Sequence, residues 1–308
     1  MPGRFVQREL LSIDVARWRP DVIYLRHSTI SPSLLVLAAT IPTVVGGDLD
    51  DLDELRVRSP LRYWYMRMAR GGLLSHARRL MVVTHELREK LPIARHKVPV
   101  DVFPNTIDVT RYPELPAPAN PDPRLVFIAA PGLPWAGVDK LTRLAMAFPN
   151  WCFDVIGPSA TDLPTRPRNV AVHGPLTQEQ YLPLMASADV AIGPLALHRK
   201  GLSEASALKV AEYLAYGIPV ILGCREAAFP DGAPFLLELE NSEDNVERGG
   251  AAIRTFVDSW RGRRVPRSEV SPIDAGVVEP RRLALIRAVA EGARRAPLTA
   301  AERDSAHR

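Results

Sequence analysis

The stretch EASALKVAEYLAYGIPVILG, residues 204–223, joins a helix pattern to a strand pattern across one sharp turn. From Leu208 onward apolar residues recur at helical spacing for two turns, and Gly217 follows, where helices commonly end in a left-handed cap. Pro219 prevents the helix from continuing, and Val220–Leu222 has the pattern of a short buried strand. A polar loop therefore leads into a helix, the helix ends in a sharp turn, and a strand runs back into a core.

Two glutamates, Glu204 and Glu212, flank the predicted start of this helix. With a helix that begins near Ser206, Glu204 lies in the preceding loop and Glu212 lies about two turns inside, so the carboxylates reach different parts of one extended ligand. The free N–H groups between them, up to Lys209, form an anion site, to which the lysine adds a full charge. The layout predicts a sugar nucleotide as ligand. The alternative is an amphipathic helix whose charged side chains are simply hydrated.

The pattern from Glu204 to Val220 resembles the donor-binding signature of retaining glycosyltransferases with the GT-B fold, specifically the family-4-like (group 1) enzymes. The resemblance implies that Glu204 contacts the transferring sugar as the catalytic residue and that Glu212 holds the ribose diol. It also implies that the turn between them binds the donor diphosphate; the residues of this turn are Ser206, Ala207, Leu208 and Lys209.

Further contacts to the donor phosphates are expected from a glycine loop at residues 131–137, which contains Gly132. In the family this loop carries a Lys-Gly pair, whereas this chain has Ala136 followed by glycine. We therefore expect the missing charge to come from Lys209, from Lys140, or from Arg199 and Lys200 just before the motif. A hydrated loop is the alternative for that last pair.

Strands and helices alternate in both halves of the chain, which predicts an α/β protein of two Rossmann-like domains facing a cleft. The predicted parts are a partial N-terminal acceptor domain at 1–105, a Pro-rich linker at 106–123, a donor-binding domain at 124–278, a helix at 279–295 that crosses back to the first domain, and a disordered tail at 296–308. One continuous helix is also predicted for 246–260.

The first domain is expected to be incomplete, because its Pro-Asp-Val-Ile strand comes only 20 residues from the start, where the family has further βα units before it. We therefore predict fewer strands in the first domain than in the second, with the strand at 21–25 near a sheet edge. On the acceptor side we single out His27 and Asp48, because each follows a predicted strand where α/β sheets bind ligands. For Asp48 the alternative is a hydrated side chain in the acidic run 48–54.

Composition narrows the classes of partner. The formal net charge of +4 is compatible with an anionic donor or an anionic membrane surface but too weak to indicate nucleic acid. Cys152 and Cys224 both lie in apolar runs, which predicts buried thiols in a reducing compartment, and neither has metal-site spacing. No metal cofactor is expected, and the nucleotide-diphosphate sugar is a co-substrate.

No apolar run approaches the roughly 18 residues of a membrane span, so we predict a cytoplasmic protein, which could dock on the inner face of the membrane. The segment at residues 62–79 mixes arginines with aromatic residues and methionine, a composition found in helices that lie on anionic membranes. The alternative is a helix that covers a sheet and turns its arginines to water.

The predicted function is transfer of a hexose-type sugar from a nucleotide-diphosphate donor to an acceptor hydroxyl, with retention at the anomeric carbon. The acceptor would be a glycan, a lipid-linked molecule or a small molecule. One alternative is a non-catalytic or inactive paralogue or fragment that only binds sugar nucleotides. A second alternative is a nucleotide-sugar epimerase on the same fold.

Overall fold

The computed structural model describes residues 4–26, 30–47, 59–90 and 98–295. The predictions for His27, Asp48 and the tail at 296–308 therefore lie outside the described residues. The chain divides into two compact units: Met1–Phe103 together with Glu279–Arg308 form the first, and Pro104–Val278 form the second.

The first unit alternates helices and strands around a parallel sheet in the order β1-β2-β3-β4. Its elements are α1 (Arg4–Trp18), β1 (Ile23–Arg26), α2 (Pro32–Thr40), β2 (Thr43–Gly47), α3 (Pro60–His76), β3 (Ala77–Val82), α4 (His85–Lys90) and β4 (Val100–Val102). Because successive right-handed crossovers move along the sheet in one direction, α2 and α3 lie on the same face. Leu34 of α2 and Leu73 of α3 accordingly share one core with Leu80 of β3.

The second unit is built on a six-stranded parallel sheet in the order β12-β10-β8-β5-β6-β7, and β9 pairs separately with β11. Its elements are β5 (Arg124–Ile128), α5 (Val138–Ala147), β6 (Cys152–Ile156), β7 (Val170–Gly174), α6 (Gln178–Ser187), β8 (Val190–Ile192), β9 (Glu204–Ala205), α7 (Leu208–Ala215), β10 (Val220–Leu222), β11 (Arg225–Glu226), β12 (Leu236–Glu238), α8 (Asn245–Arg248) and α9 (Gly250–Trp260). The last helix is α10 (Ala275–Arg295).

Helices cover both faces of this second sheet. Val126 of β5 faces the core that contains α6 and α7, whereas its neighbour Phe127 faces the core that contains α5 and α9. Strands buried on both faces explain the continuous apolar runs in the sequence. The predicted α/β class with parallel sheets is confirmed.

The first sheet is the smaller one in the described part of the chain, with four strands against six, as predicted. Residues 4–18 contribute a helix and not a strand. β1 stands at the sheet edge, also as predicted, where Leu25 is buried and Tyr24 is largely exposed.

Two local predictions are wrong. The single helix expected for 246–260 is two helices that meet at Gly249, where a Cβ would lie 2.7 Å from the Asn245 carbonyl oxygen. Glycine disfavours helix continuation and allows this close approach. Cys152 is exposed, because it opens β6 ahead of the buried part of the strand, whereas Cys224 is buried as expected.

The Pro-rich stretch at 106–123 is attached along the second unit. Arg264 donates a hydrogen bond to the Pro116 carbonyl, and Arg267 donates one to the Tyr112 carbonyl. Val109 is buried in the core of that unit. These contacts attach residues 106–123 to the second unit.

Candidate functional site

The strand order brings the predicted ligand loops together at the carboxyl ends of two neighbouring strands. From β5 the chain proceeds to β6 and β7 on one side, then crosses to β8 on the other side of β5. The loops that leave β5 and β8 therefore diverge at a topological switch point, where open α/β sheets bind ligands. The loop after β5 contains Gly132, and the loop after β8 leads into Glu204.

The loop after β5 is fixed against the loop after β8. Gly137 has φ +79°, and a Cβ there would lie 2.8 Å from the Leu195 Cβ, so only glycine fits without a shift. The Leu195 N–H donates to the Ala136 carbonyl at 3.2 Å. Gly132 also has a left-handed φ, of +72°, with open space around it, so its backbone is accessible to a ligand.

Glu204 is anchored by a strand. It is buried in β9, paired with Arg225 of β11, whereas the sequence placed it in a loop. The helix that follows, α7, begins at Leu208, two residues later than predicted. A carboxylate on a paired strand is held more firmly than one on a free loop, which suits a residue that contacts a reacting group.

The turn at residues 206–209 is held by Asn105, whose role the sequence reasoning missed. The Asn105 backbone N–H donates to the Ser206 Oγ at 2.7 Å, and its side-chain amide donates to the Ser206 carbonyl at 2.7 Å. Asn105 and Ser206 are 101 residues apart in the sequence, and a contact across that distance leaves no local pattern.

Two side chains of α7 grip the end of β5. Lys209 Nζ donates to the Ile128 carbonyl at 2.9 Å and lies 4.9 Å from the centre of the Phe127 ring. The Ile128 N–H donates to the Tyr213 hydroxyl at 2.7 Å. Burial lowers the pKa of Lys209 to about 8, so the ammonium charge is held at the switch point at neutral pH.

Glu212 lies among tyrosines. Tyr181 of α6 donates to Glu212 Oε1 at 2.5 Å, and burial raises the pKa of Glu212 against the opposing effect of this bond. Tyr112 and Tyr216 meet edge to face at 5.1 Å beside it, and burial, together with the Glu212 charge, raises the pKa of both. This group offers a carboxylate acceptor next to aromatic surface.

Arg199, predicted to bind donor phosphate, is engaged in an ion-pair network. Its guanidinium binds both carboxylate oxygens of Asp139, at 2.8 and 2.7 Å, and also Glu243 and the Pro134 carbonyl. Arg199 holds the pKa of Glu243 down to about 2. Lys200 lies 5.0 Å from the centre of the Trp135 ring in the glycine loop. Phosphate binding by either residue stays a prediction.

The Arg199 network predicts a structural effect. Arg199→Ala is expected to lower the free energy of unfolding of the ligand-free protein by about 1–2 kcal/mol, because charge-assisted bidentate bonds that join two loops are lost. Urea unfolding at low and high salt measures this, and screening should shrink the difference. The exposed Arg166→Ala is the matched control. A variant as stable as wild type would contradict the structural role.

Lys140 does not supply the missing charge. It is fully buried, and its ammonium group donates to the carbonyls of Leu195 and Ser242 and to the side-chain oxygen of Asn245. All three protons of the ammonium group are thus used within the fold. Lys140 ties α5 to the segment around α8, and the expectation that it reaches phosphate is wrong for this structure.

Glu226 is a buried carboxyl group that the sequence reasoning missed. It accepts hydrogen bonds from the N–H groups of Ala228 and Ala207, the latter in the predicted phosphate turn. Burial, with the charges of Glu238 and Glu204 nearby, raises the pKa of Glu226 to about 8. The pairing of β9 with β11 brings Glu226 close to Ala207 and Glu204, and no sequence pattern predicts this pairing.

This raised pKa predicts a pH-dependent stability. Glu226 keeps its proton in the folded protein up to about pH 8, whereas the unfolded chain releases it above about pH 4.5. The stability of the folded state therefore falls as pH rises from about 4.5 to about 8. Glu226→Gln, which cannot ionise, is expected to gain stability relative to wild type across that window, by up to about 4–5 kcal/mol. Urea unfolding at pH 5, 6.5 and 8 measures the difference.

The matched control for that substitution is the exposed Glu269→Gln, whose difference from wild type should not vary with pH. A Glu226→Gln difference that is equally constant from pH 5 to 8 would contradict the raised pKa.

Within residues 4–26, 30–47, 59–90 and 98–295, no group of three or more His, Cys, Asp or Glu side chains is arranged to hold a metal ion. In the same ranges, no helix is both long and apolar enough to span a membrane.

Solved structures match both units of this chain. Sucrose-phosphate synthase (tll1590) from Thermosynechococcus elongatus has a TM-score of 0.63 at 15% sequence identity, over 91% of this chain and 76% of that one. HepE from Anabaena, solved in complex with UDP-glucose, has a TM-score of 0.56 at 15% identity, over 90% and 82%. The chain has the GT-B fold. The GT-B architecture predicted from residues 204–220 is thereby confirmed.

The same GT-B fold is shared with a protein assigned as a UDP-N-acetylglucosamine 2-epimerase, from Listeria monocytogenes, with a TM-score of 0.51 at 14% identity, over 91% and 77%. No protein-family model and no curated protein sequence matches this chain. At identities this low, the likeness establishes the GT-B fold alone.

Proposed function

We propose that the second unit binds a nucleotide-diphosphate sugar and that the protein transfers the sugar to an acceptor hydroxyl with retention at the anomeric carbon. One observation carries the proposal: the glycine loop and the Glu204–Glu212 segment both lie at the carboxyl ends of β5 and β8, where this sheet has its switch point. Nucleotide ligands of α/β sheets bind at such points.

The turn at 206–209 is the proposed diphosphate site. Its backbone is fixed by Asn105, and Lys209 stands at its end with an ammonium charge at neutral pH. A preorganised positive region stabilises the charge that develops on the leaving diphosphate without the need to reorganise. Such stabilisation grows toward the transition state and therefore speeds the reaction.

The two glutamates are assigned to the two ends of the donor. Glu212 would accept hydrogen bonds from the ribose diol, and the half-buried Tyr112, packed against the buried Tyr216, would offer aromatic surface to the base. Glu204, on β9, would face the transferring sugar. The likeness to HepE, which was solved in complex with UDP-glucose, supports a nucleotide-linked hexose as donor class.

The test is a thermal-shift screen against UDP-, GDP-, ADP- and TDP-sugars with the full chain. A ligand that binds only the folded state raises stability by about 2.7 kcal/mol at a concentration of 100 Kd. We expect one nucleotide series to raise Tm, and the intact sugar nucleotide to exceed the free nucleoside. The absence of any shift at millimolar ligand would overturn the proposal.

Lys209→Met is predicted to weaken UDP-type ligands by about tenfold or more while leaving the nucleoside affinity unchanged, because only the diphosphate meets the ammonium group. Methionine keeps an unbranched apolar side chain at this position and removes the ammonium group that lies 4.9 Å from the centre of the Phe127 ring. In wild type the nucleotide affinity should fall as pH rises through about 8, where the lysine loses its proton, and the variant should lack this step. Isothermal titration at pH 7 and 9 measures both effects. Equal losses for nucleoside and nucleotide would show a purely structural lysine.

Two other functions are tested by the same samples. An epimerase, the class assigned to the Listeria protein, would convert its donor without an acceptor. A non-catalytic binding protein is favoured by the small amount of positive charge left for the donor phosphates. Arg199 and Lys140 are bound within the fold, and Ala136 replaces the family's lysine. Such a protein would bind the donor, and neither hydrolysis nor transfer would follow.

A further inference from the structure

The helices on one face of the first sheet carry apolar side chains on their outer sides. α2 packs against both α1 and α3, so the three helices form one layer. Ten large apolar side chains of these helices are exposed in the described residues, among them Leu10, Ile13, Val36, Leu61, Trp64 and Met68. Monomeric soluble proteins rarely group exposed apolar side chains in this way outside an interaction site.

α3 shows the pattern most clearly. Leu61, Trp64 and Met68 recur at helical spacing on one side and are 87%, 60% and 73% exposed. The opposite side of the same helix is packed into the core through Met66 and Leu73. α3 therefore covers the sheet with one apolar face, in agreement with the alternative prediction for 62–79, and carries a second apolar face that the sheet does not cover.

The charged side chains of α3 near this outer face are all positive, and α2 carries no charged side chain. Neither α2 nor α3 contains an Asp or Glu, whereas α3 carries two exposed arginines, Arg62 in its first turn and Arg67 beside Trp64. Arg67 lies 5.7 Å from the centre of the Trp64 ring and donates to the Tyr63 hydroxyl. On α1 the exposed Asp14 lies 3.8 Å from Arg17. Tryptophan with arginine beside an aliphatic stripe is typical of helices at a membrane interface.

We propose that this outer face of α1, α2 and α3 docks on an anionic membrane surface. Leu61, Trp64 and Met68 enter the boundary between headgroups and acyl chains, while Arg62 and Arg67 bind lipid phosphates. The attraction of an anionic leaflet for basic side chains supplies the charge complementarity that an uncharged bilayer lacks. The inference is independent of the sugar-nucleotide site, which lies in the other unit.

The test is sedimentation of the full chain with vesicles of phosphatidylcholine alone or with 30% phosphatidylglycerol, a fraction chosen on the order of that in anionic membranes. We expect partitioning into the anionic vesicles about tenfold stronger than into the neutral ones, decreasing at high salt. The triple variant Leu61→Ser, Trp64→Ser, Met68→Ser should lose about tenfold, because the inserted apolar surface is gone. Arg62→Gln with Arg67→Gln should remove the preference for anionic lipid.

Met146→Ser is the matched control: Met146 is 55% exposed on α5 of the other unit, and its loss should not change partitioning. Tryptophan quenching by lipids brominated in the acyl chain, expected to fall in Trp64→Phe, measures insertion without a disruptive substitution. Equal binding to both vesicles, or full retention by the triple variant, would overturn the proposal. The proposal would also be overturned if the wild-type protein is a dimer and the triple variant is a monomer, because the face would then join two copies.

Discussion

Glu204→Gln is expected to reduce donor turnover about a hundredfold while the donor Kd changes by less than about threefold. Glutamine keeps the shape and one acceptor oxygen of the side chain, so ground-state contacts with sugar hydroxyls largely survive. The negative charge is lost, however, and glycosyl transfer builds positive charge at the anomeric carbon in its transition state. Steady-state kinetics with the donor found in the screen, together with titration calorimetry, separate the two effects.

The control for that substitution is the exposed Glu269→Gln, which should leave both turnover and Kd unchanged. If Glu204→Gln loses affinity and turnover by the same factor, Glu204 contributes uniform binding and is not the catalytic residue. If neither changes, the buried position of Glu204 on β9 serves only the fold.

Glu212→Ala is expected to weaken the donor by about ten- to a hundredfold, since a hydrogen bond to a charged group contributes about 1.5–3 kcal/mol. The loss should be the same for sugar nucleotide, nucleotide and nucleoside, because all three carry the ribose. This pattern is the reverse of the one predicted for Lys209→Met, which spares the nucleoside. Titration of sugar nucleotide, nucleotide and nucleoside into both variants therefore shows which side chain contacts the ribose and which contacts the diphosphate.

Glu179→Ala provides the matched control, an exposed glutamate on α6 two residues before Tyr181. Tyr181→Phe removes the hydroxyl that donates to Glu212 and is expected to weaken the donor by only about threefold, because the carboxylate remains. An undiminished nucleoside affinity in Glu212→Ala would show that the ribose assignment is wrong.

Local patterns in the sequence were sufficient for the architecture of both units. β10 has the predicted bounds, Val220–Leu222, and a capping box between Thr177 and Gln180 opens α6. These features depend on neighbours in the chain: apolar periodicity, proline and glycine positions, and side chains that bond their own turn. The GT-B signature at 204–220 is local in the same sense.

Side-chain partners from distant segments could not be predicted. Arg199 and Lys140 look like available cations in the sequence. In the fold, Glu243 binds Arg199 from 44 residues away in the chain, and Asn245 binds Lys140 from 105 residues away. Glu226 carries no motif, and its raised pKa follows from the pairing of two-residue strands. A positive residue near a motif is therefore weak evidence of ligand binding until its internal partners are known.

Amide hydrogen exchange with and without the sugar nucleotide that raises Tm most tests the location of the donor directly. We expect protection of the segments 131–137 and 204–212, with no change in the loop at 159–168, between β6 and the edge strand β7. In Lys209→Met the protection should diminish at equal ligand concentration. Protection confined to other segments, or none at 204–212 in a sample that binds the donor, would contradict the assignment of this site.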